Sequence, residues 1–267
     1  MKALDTGLEP EAFWSALRRA PARGLFLDYD GTLAPFRVER DRAVPYPGVR
    51  EALAEILRGG GTRLVVVSGR AVADLLPLLA LDRPVEIWGA HGFERLRPDG
   101  RHEVQELPPA LRNGLDAARR WAAEHLEPER FEEKPGCLAV HWRGLPADAA
   151  RALEGRVREA WTPVAREAGL ALRPFDGGLE LRSPGWTKGS VVERLLAEMA
   201  PGAAAAYLGD DDTDEDAFRA LGPGGLSVLV RDRFRPTRAR LWIRPPAELL
   251  DFLGRWACET GTHGGDR

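Results

Sequence analysis

Short, continuous runs of apolar residues alternate along the chain with segments of helical periodicity. Polar residues follow three of these runs, directly after GLFL at 24–27 and LVVV at 64–67 and one glycine after AAAYL at 204–208. A strand without alternating polar positions is buried on both faces, and strands that alternate with helices form a mostly parallel sheet covered by those helices. The sequence therefore predicts an α/β fold with a Rossmann-like parallel-sheet core.

The middle of the chain has a different pattern. Pairs of candidate strands, including FERLRPDGRHEVQEL with Asp-Gly at its turn, accompany two predicted helices near residues 109–125 and 146–168. Hairpins combined with helices are typical of an α+β module. We therefore expect a discontinuous core of residues 1–92 and 184–267, interrupted by an inserted α+β cap domain at residues 93–183.

The composition and net charge of the chain indicate which kinds of binding partner to expect. The 267 residues are 44% hydrophobic and 30% charged, with a formal net charge of −3, which favours neither nucleic acid nor an anionic membrane as a partner. No apolar run reaches the length of a membrane span, and the first residues lack the apolar core of a signal peptide. Cys137 and Cys258 lack the spacing of a metal site or redox pair, so a reducing, cytoplasmic setting is expected. The chain is expected to be a monomer.

Polar residues that follow the predicted strands form the candidate site. In chain order they are Asp28, Asp30, Ser68, Lys188 and Asp210. Because the carboxyl ends of parallel strands share one edge of a sheet, these side chains are expected to converge there. A carboxylate nucleophile, a second carboxylate that moves protons, and cations that offset an anionic substrate are suited to phosphoryl transfer followed by hydrolysis.

Lysine is rare in this chain. Of its 38 basic residues only Lys2, Lys134 and Lys188 are lysines, a bias that a GC-rich genome accounts for. Lysine differs from arginine in carrying a compact point charge on a mobile stem. Lys134 and Lys188 are therefore expected at positions that need a compact ammonium group instead of a planar guanidinium.

The sequence DDDTDED starts at Asp210 and holds six carboxylates in seven positions. Such a run is either a solvated acidic turn or the site of a cation. We expect both: some of these carboxylates face a cation, and others lie at a solvated helix start. Asp212 and Glu215 have the spacing of a capping box at a helix start. Asp211 is expected to be solvated.

Four segments of the chain resemble, in order, the four motifs of the haloacid dehalogenase-like (HAD) phosphatases. They are DYDGTL at 28–33, the strand end at Ser68, WTKG at 186–189 and GDDDTDED at 209–216. The resemblance extends over the whole predicted core. It implies a phosphatase that forms an aspartyl-phosphate intermediate.

The resemblance to HAD phosphatases also implies a role for each residue. Asp28 is the implied nucleophile, and Asp30 is the implied acid that protonates the leaving oxygen and then activates water. The implied Mg²⁺ ligands are the side chains of Asp28 and Asp210 and the backbone carbonyl of Asp30, with Asp214 supporting them. Hard oxygen ligands of this kind suit Mg²⁺. The implied phosphate-binding residues are Ser68 and Lys188.

Short motifs in the predicted cap resemble the trehalose-6-phosphate phosphatases. They are Glu-Lys at 133–134, LAVHWR at 138–143 and LELR at 179–182, and GAHG at 89–92 also fits. The resemblance implies that the cap selects a small sugar phosphate, trehalose 6-phosphate, whose hydroxyls would meet carboxylates and cations. The implied sugar-binding residues are Glu133, Lys134, His141, Arg143, Glu180 and His91.

Other functions are compatible with the same motifs. Phosphatases of this architecture also act on sucrose phosphate, mannosyl-3-phosphoglycerate or glucosylglycerol phosphate, and a mutase would pass the phosphoryl group to a sugar. A non-catalytic sugar-phosphate sensor would have no need of both Asp28 and Asp30. The polar cap residues could also be an ordinary solvated strand face, and His91 an ordinary hinge residue.

Overall fold

The computed structural model describes residues 1–5, 7, 9–37, 39–175 and 177–261. The chain divides into two compact units. The first unit consists of Met1–His102 with Thr187–Arg267, and the second is Glu103–Trp186.

The strands and helices alternate through the first unit as the sequence predicts. The strands are β1 (Lys2–Ala3), β2 (Arg23–Leu27), β3 (Arg63–Val67), β4 (Glu86–Gly89), β5 (Glu94–Leu96), β6 (His102–Val104), β7 (Phe131–Lys134), β8 (Cys137–His141), β9 (Ala171–Phe175), β10 (Gly178–Arg182), β11 (Ala204–Gly209), β12 (Leu226–Val230) and β13 (Leu241–Ile243). The helices are α1 (Pro10–Arg19), α2 (Val49–Gly59), α3 (Val72–Leu79), α4 (Pro109–His125), α5 (Ala147–Ala168), α6 (Lys188–Ala197), α7 (Asp214–Leu221) and α8 (Ala247–Thr260). Within the described ranges, none of the helices is both long and apolar enough to cross a membrane.

The first unit is built on a sheet with the strand order β1-β13-β12-β11-β2-β3-β4-β5-β6. The six strands from β13 to β4 pair in parallel, as expected for strands without alternating polar positions. One face carries a core in which strand residues such as Leu25 and Leu27 pack with Trp14, Leu53 and Phe252 from α1, α2 and α8. Helices α6 and α7 pack against each other, and α7 also contacts β11 and β12. The predicted α/β class is confirmed.

The strand order brings the predicted polar clusters together. Strand β2 lies between β11 and β3, so Asp28, Ser68 and Asp210 follow three adjacent strand ends. The backbone N–H of Asp28 donates to the Leu208 carbonyl at 2.9 Å, and that of Ser68 donates to the Trp88 carbonyl at 2.8 Å. These bonds extend the sheet ladder into the functional residues and fix where their side chains begin.

The hairpin expected at the start of the inserted module lies elsewhere. Strand β5 pairs antiparallel with β4, and β6 follows it at the edge of the large sheet, while the second unit begins only at Glu103. The predicted turn is present, with Gly100 at φ +86° and the Arg97 N–H bonded to the Arg101 carbonyl. A hairpin pattern reports local pairing, and the free edge of β4 supplies the partner that the pattern does not specify.

The second unit is a four-stranded antiparallel sheet in the order β7-β8-β10-β9, with α4 and α5 on one face. Leu138, Val140, Leu179 and Leu181 on that face pack in a core with Trp161 of α5. Because side chains alternate across a strand, the residues between them lie on the other face. That face carries polar residues described below.

A partly buried ion-pair network links residues at the edge of the large sheet. Glu86 accepts hydrogen bonds from Arg63 and from the indole of Trp88, and it pairs with Arg95 at 2.7 Å. The Arg95 guanidinium lies over the Trp88 ring, 4.7 Å from its centroid. Glu198, the C-cap residue of α6, accepts two hydrogen bonds from Arg95, each of 2.8 Å, and one from Arg63. The network ties α6, and with it Lys188, to the sheet.

Hydrogen bonding from Arg95, and then from Arg63, lowers the pKa of Glu198 from its usual 4.5 to about 2. A carboxyl group with a lowered folded-state pKa stabilises the fold above about pH 4.5 and loses that contribution as the pH falls toward 2. We therefore expect Glu198→Gln to be less stable than wild type at pH 7, with a gap that narrows below pH 4.5. Because the side chain is 39% exposed, solvent keeps the effect small.

Urea unfolding of wild type and Glu198→Gln across this pH range measures the effect. Glu193→Gln, a change at an exposed glutamate of the same helix, is the matched control and should show no such pH dependence. A gap between wild type and Glu198→Gln that stays constant from pH 7 to pH 3 would contradict the assignment.

Candidate active site

Three buried carboxylates meet at the ends of the central strands. Asp28, Asp210 and Asp214 each place an oxygen within 4.8 Å of the others, and all three side chains are buried. Burial raises the pKa of Asp28 and of Asp210 well above the usual range, and the neighbouring carboxylates raise them further. Such a cluster is costly in a folded protein unless positive charge accompanies it.

Lys188 supplies positive charge inside this cluster. Its Nζ donates to Asp28 Oδ1 at 2.6 Å and to Asp214 Oδ1 at 2.8 Å. Burial alone would lower the pKa of Lys188, but Asp214 and Asp28 raise it well above its usual value, so the ammonium stays charged. The lysine is the first residue of α6, which begins with a reciprocal capping box between Thr187 and Ser190. The cap fixes the point from which Lys188 reaches the carboxylates.

Asp214 organises the loop that carries Asp210. Its Oδ1 accepts from the Tyr207 hydroxyl at 2.7 Å as well as from Lys188. Its Oδ2 accepts the backbone N–H groups of Asp210 and Asp211, at 3.0 and 3.1 Å. Both oxygens of Asp214 therefore accept hydrogen bonds from within the protein.

Asp210 has the features of a cation ligand. Its Oδ1 is buried and accepts no hydrogen bond from the residues that the structure describes. A buried carboxylate oxygen without a donor is costly, and a hard divalent cation satisfies such an oxygen. Gly31, at φ +86°, leaves the space beside this carboxylate, because a Cβ there would clash with Asp210. The donor set of Asp28 and Asp210 therefore fits a divalent cation.

Asp30 lies beside the cluster and has its own cationic partner. Its carboxylate accepts two hydrogen bonds from Arg70, 2.6 Å from Nε and 2.7 Å from Nη2. The Asp30 side chain is 28% exposed, in contrast to the buried Asp28. Arg70 follows Ser68 and Gly69 in the sequence, but a basic residue in a chain with so much arginine gives no signal of such a role.

Ser68 and His91 lie against each other in the first unit. The Ser68 hydroxyl is buried and accepts the Arg70 N–H at 3.1 Å, which leaves the hydroxyl hydrogen free to donate to a phosphate oxygen. His91 has a left-handed φ of +57°, and its N–H bonds the Ser68 carbonyl at 2.9 Å. A Cβ at Gly69 would clash with the His91 ring. His91 is therefore packed beside the phosphate-binding candidates, in a different unit from the other predicted sugar-binding residues.

The predicted capping box of the acidic run is wrong. Helix α7 begins after Thr213, and the Glu215 carboxylate bonds Thr237 and the Arg238 N–H instead of its own helix start. Asp211, expected to be solvated, is partly buried and accepts both the N–H and the hydroxyl of Thr213. Asp212 is the solvated member, with a side chain that is 96% exposed. Tertiary partners outside the run decide these bonds, so spacing within it does not predict them.

In the second unit, four polar side chains lie close together on the sheet face opposite the helices: Glu132, Lys134, His141 and Glu180. Lys134 Nζ donates to Glu180 Oε1 at 2.6 Å, and His141 lies 3.1 Å from a Glu132 oxygen. Lys134 also lies 3.9 Å from Glu132. Burial alone would lower the pKa of Lys134, but Glu180 raises it above its usual value. The face therefore carries buried donors and acceptors side by side.

Glu133 lies on the opposite face, and Glu132 occupies the position beside Lys134 that was expected for Glu133. Side chains alternate along β7, and Lys134 shares its face with Glu132. Counting two residues back from Lys134 would have identified Glu132 from the sequence. Arg143 lies in the turn after β8, beside Gly177, away from the strand positions of Lys134 and Glu180.

Comparison with known proteins places the chain in a family. The Trehalose-phosphatase family model matches residues 26–239, most of the chain. The chain belongs to the trehalose-phosphatase family. A trehalose-phosphate phosphatase of Mycobacterium marinum is 35% identical over 259 residues, which cover 91% of this chain and 64% of that relative. The chain thus spans less than two thirds of the length of this relative.

Solved structures of other proteins share the fold of this chain. The C-terminal domain of a C. albicans trehalose-6-phosphate phosphatase has a TM-score of 0.78 at 21% identity, covering 97% of this chain and 99% of that one. A HAD superfamily phosphatase of Bacteroides thetaiotaomicron has a TM-score of 0.58 at 17% identity, covering 94% and 99%. These similarities confirm the HAD fold predicted from the four motifs.

A divalent cation is expected to stabilise the protein through Asp210. A ligand that binds only the folded state at a hundred times its dissociation constant adds about 2.7 kcal/mol to the free energy of unfolding. Thermal melting with and without Mg²⁺ should therefore show a higher melting temperature for wild type and a much smaller shift for Asp210→Asn. Asp212→Asn, which alters an exposed carboxylate of the same run, should keep the wild-type shift. Equal shifts in all three proteins would rule out this cation site.

Proposed function

We propose that this protein is a Mg²⁺-dependent phosphatase that hydrolyses trehalose 6-phosphate to trehalose and phosphate. The observation that carries the proposal is the buried carboxylate of Asp28, held by Lys188 beside Asp210 at adjacent strand ends. Membership of the trehalose-phosphatase family supports the choice of substrate. The M. marinum relative carries the name of this activity but is a longer protein, so the activity is proposed for this chain.

The first chemical step uses Asp28 as the nucleophile. Its carboxylate oxygen attacks phosphorus and forms the acyl phosphate, while the bond between phosphorus and the sugar oxygen breaks. The leaving oxygen takes a proton from Asp30. Lys188 and the Ser68 hydroxyl offer donors to the phosphate oxygens. Lys188 stays charged, which offsets repulsion between the anionic substrate and Asp28.

The second chemical step returns the enzyme to its starting state. Asp30 takes a proton from water, the water oxygen attacks phosphorus, and the bond to the Asp28 oxygen breaks to release phosphate. Arg70 donates one hydrogen bond to each oxygen of Asp30, so each oxygen keeps a second lone pair that can hold the transferred proton. Arg70 thereby sets the orientation of Asp30 between the two steps.

The proposed Mg²⁺ would be held by the side chains of Asp28 and Asp210 and the backbone carbonyl of Asp30. When bound, the cation reduces the repulsion between the phosphate and the carboxylates and polarises the phosphoryl oxygens. Asp214 was predicted as part of the metal site; we assign it to the support of the loop, because Lys188, Tyr207 and two backbone amides engage its oxygens.

The second unit is proposed to select the sugar through its polar sheet face. Sugar hydroxyls both donate and accept, and a face with alternating carboxylates and cations meets both needs. Lys134, Glu180, His141 and Glu132 provide such a face. In this assignment Glu132 replaces Glu133, and Arg143 and His91 have no sugar contact assigned.

The alternatives differ in what they require of the site. A phosphatase for sucrose phosphate or another sugar phosphate would share the carboxylates and differ in the polar face of the second unit. A non-catalytic sensor would bind sugar phosphate without turnover. The buried Asp28 and its paired Lys188 favour catalysis, because a purely binding site gains nothing from a carboxylate that repels phosphate.

Replacing the nucleophile tests the reaction. Asp28→Asn should lower the rate of phosphate release from trehalose 6-phosphate on the order of 10⁴-fold or more, as removal of a nucleophile does. Circular dichroism should show an unchanged fold, and Asp212→Asn should keep wild-type activity. Phosphate release near the wild-type rate in Asp28→Asn would contradict the mechanism, and no turnover of any sugar phosphate by wild type would favour the sensor.

The polar face is tested by two neighbouring glutamates. Glu132→Gln should raise KM for trehalose 6-phosphate by at least about tenfold, since the loss of a charged hydrogen-bond partner costs roughly 1.5–3 kcal/mol. Glu133→Gln, on the opposite face, should leave KM unchanged. Turnover of p-nitrophenyl phosphate, which has no sugar hydroxyls, should be the same in both variants. Equal effects of the two changes, or a higher kcat/KM for sucrose 6-phosphate in wild type, would overturn this substrate assignment.

A further inference from the structure

The loop after β12 places an arginine on the backbone of the acidic run. Arg235 Nε donates to the Asp210 carbonyl at 3.0 Å, and its Nη2 donates to the Asp211 carbonyl at 2.5 Å. Its Nη1 lies 2.8 Å from Glu215 and 3.3 Å from Asp212. The Arg235 side chain is 17% exposed, and every guanidinium nitrogen is engaged. Arginine suits this position, because its planar fork reaches adjacent carbonyls and still has a nitrogen for a carboxylate.

The same stretch of backbone is held from the other side by Asp214. Asp214 Oδ2 accepts the N–H groups of Asp210 and Asp211, while Arg235 donates to the carbonyls of the same two residues. The N–H and the C=O of Asp210 are therefore both fixed. With its backbone fixed on both sides, Asp210 presents the buried Oδ1 that has no donor among the described residues.

Glu215 and Arg231 strengthen the link between the two loops. Glu215 accepts the Thr237 hydroxyl at 2.7 Å and the Arg238 N–H at 2.8 Å, so each loop holds the other. Arg231 donates to the Asp210 carbonyl at 3.2 Å, but its side chain is more exposed than that of Arg235. Arg235 is thus the more buried cation facing a run of six carboxylates, and it lowers their mutual repulsion.

We propose that Arg235 is a positioning residue that holds Asp210 ready for the divalent cation. The inference rests on the proposed role of Asp210 as a cation ligand. Arg235 bonds the backbone of Asp210, so its removal leaves the ligand atoms, the nucleophile and Lys188 in place. The cost should therefore appear as weaker cation binding and not as a loss of chemistry. Residues that orient metal ligands typically contribute 10- to 100-fold to affinity.

Calorimetric titration of the full chain with Mg²⁺, without substrate, measures this effect. Arg235→Gln should raise the Mg²⁺ dissociation constant at least about tenfold. Arg235→Lys keeps the charge but loses the fork, so its affinity should be intermediate. Arg238→Gln, at an exposed side chain of the same loop, should bind Mg²⁺ like wild type. At saturating Mg²⁺, kcat of Arg235→Gln should recover to within a few fold of the wild-type value.

The outcomes separate this proposal from the proposed function. Wild-type Mg²⁺ affinity in folded Arg235→Gln, with wild type active, would overturn the role of Arg235 alone. A kcat that stays low at saturating Mg²⁺ would also overturn it. If Arg235→Gln does not fold, Arg235→Lys takes its place, and a wild-type Mg²⁺ affinity in that variant would overturn the role of Arg235. A wild-type protein that hydrolyses trehalose 6-phosphate without binding Mg²⁺ would overturn both this inference and the proposed metal.

Discussion

The site depends on the compensation of buried negative charge. Asp28, Asp210 and Asp214 lie together out of contact with water, an arrangement that repulsion and desolvation oppose. Lys188 bonds two of the three at hydrogen-bond distance. The strand order places the carboxylates at adjacent strand ends, α6 delivers the ammonium, and the network around Glu86 and Glu198 fixes α6 to the sheet. The surrounding fold therefore serves to hold like charges close together.

Much of the core could be predicted from the sequence, because its signals are local. Continuous apolar runs predicted the parallel strands, and the polar residues after them identified Asp28, Ser68 and Asp210. The convergence of these residues follows from a general property of parallel sheets and needs no coordinates. The same reasoning could not predict that Arg70 bonds Asp30 or that Arg235 bonds the Asp210 backbone, because these partners are distant in sequence and arginine is common throughout this chain.

The differences between the sequence-based predictions and the structure have physical causes. The acidic run has the spacing of a capping box, but Glu215 gains more from the Thr237 loop than from its own helix start. The hairpin of β5 and β6 was placed in the insertion because its pattern gives no information about which sheet edge it joins. Glu132, and not Glu133, shares its sheet face with Lys134, as the alternation of faces along β7 predicts. Tertiary partners decided the first two cases, and the third was available from the sequence.

The bond between Lys188 and Asp28 joins residues 160 positions apart, on either side of the inserted unit. At typical synthesis rates of about 5–20 residues per second, the ribosome delivers Lys188 roughly 8–30 s after Asp28. During that interval the nascent chain contains the first strands of the sheet, but it has neither β11 nor the ammonium that Asp28 pairs with. The whole of the second unit has been synthesised before Lys188 is added. The charged centre of the large sheet is therefore among the last parts of the protein that can form during translation.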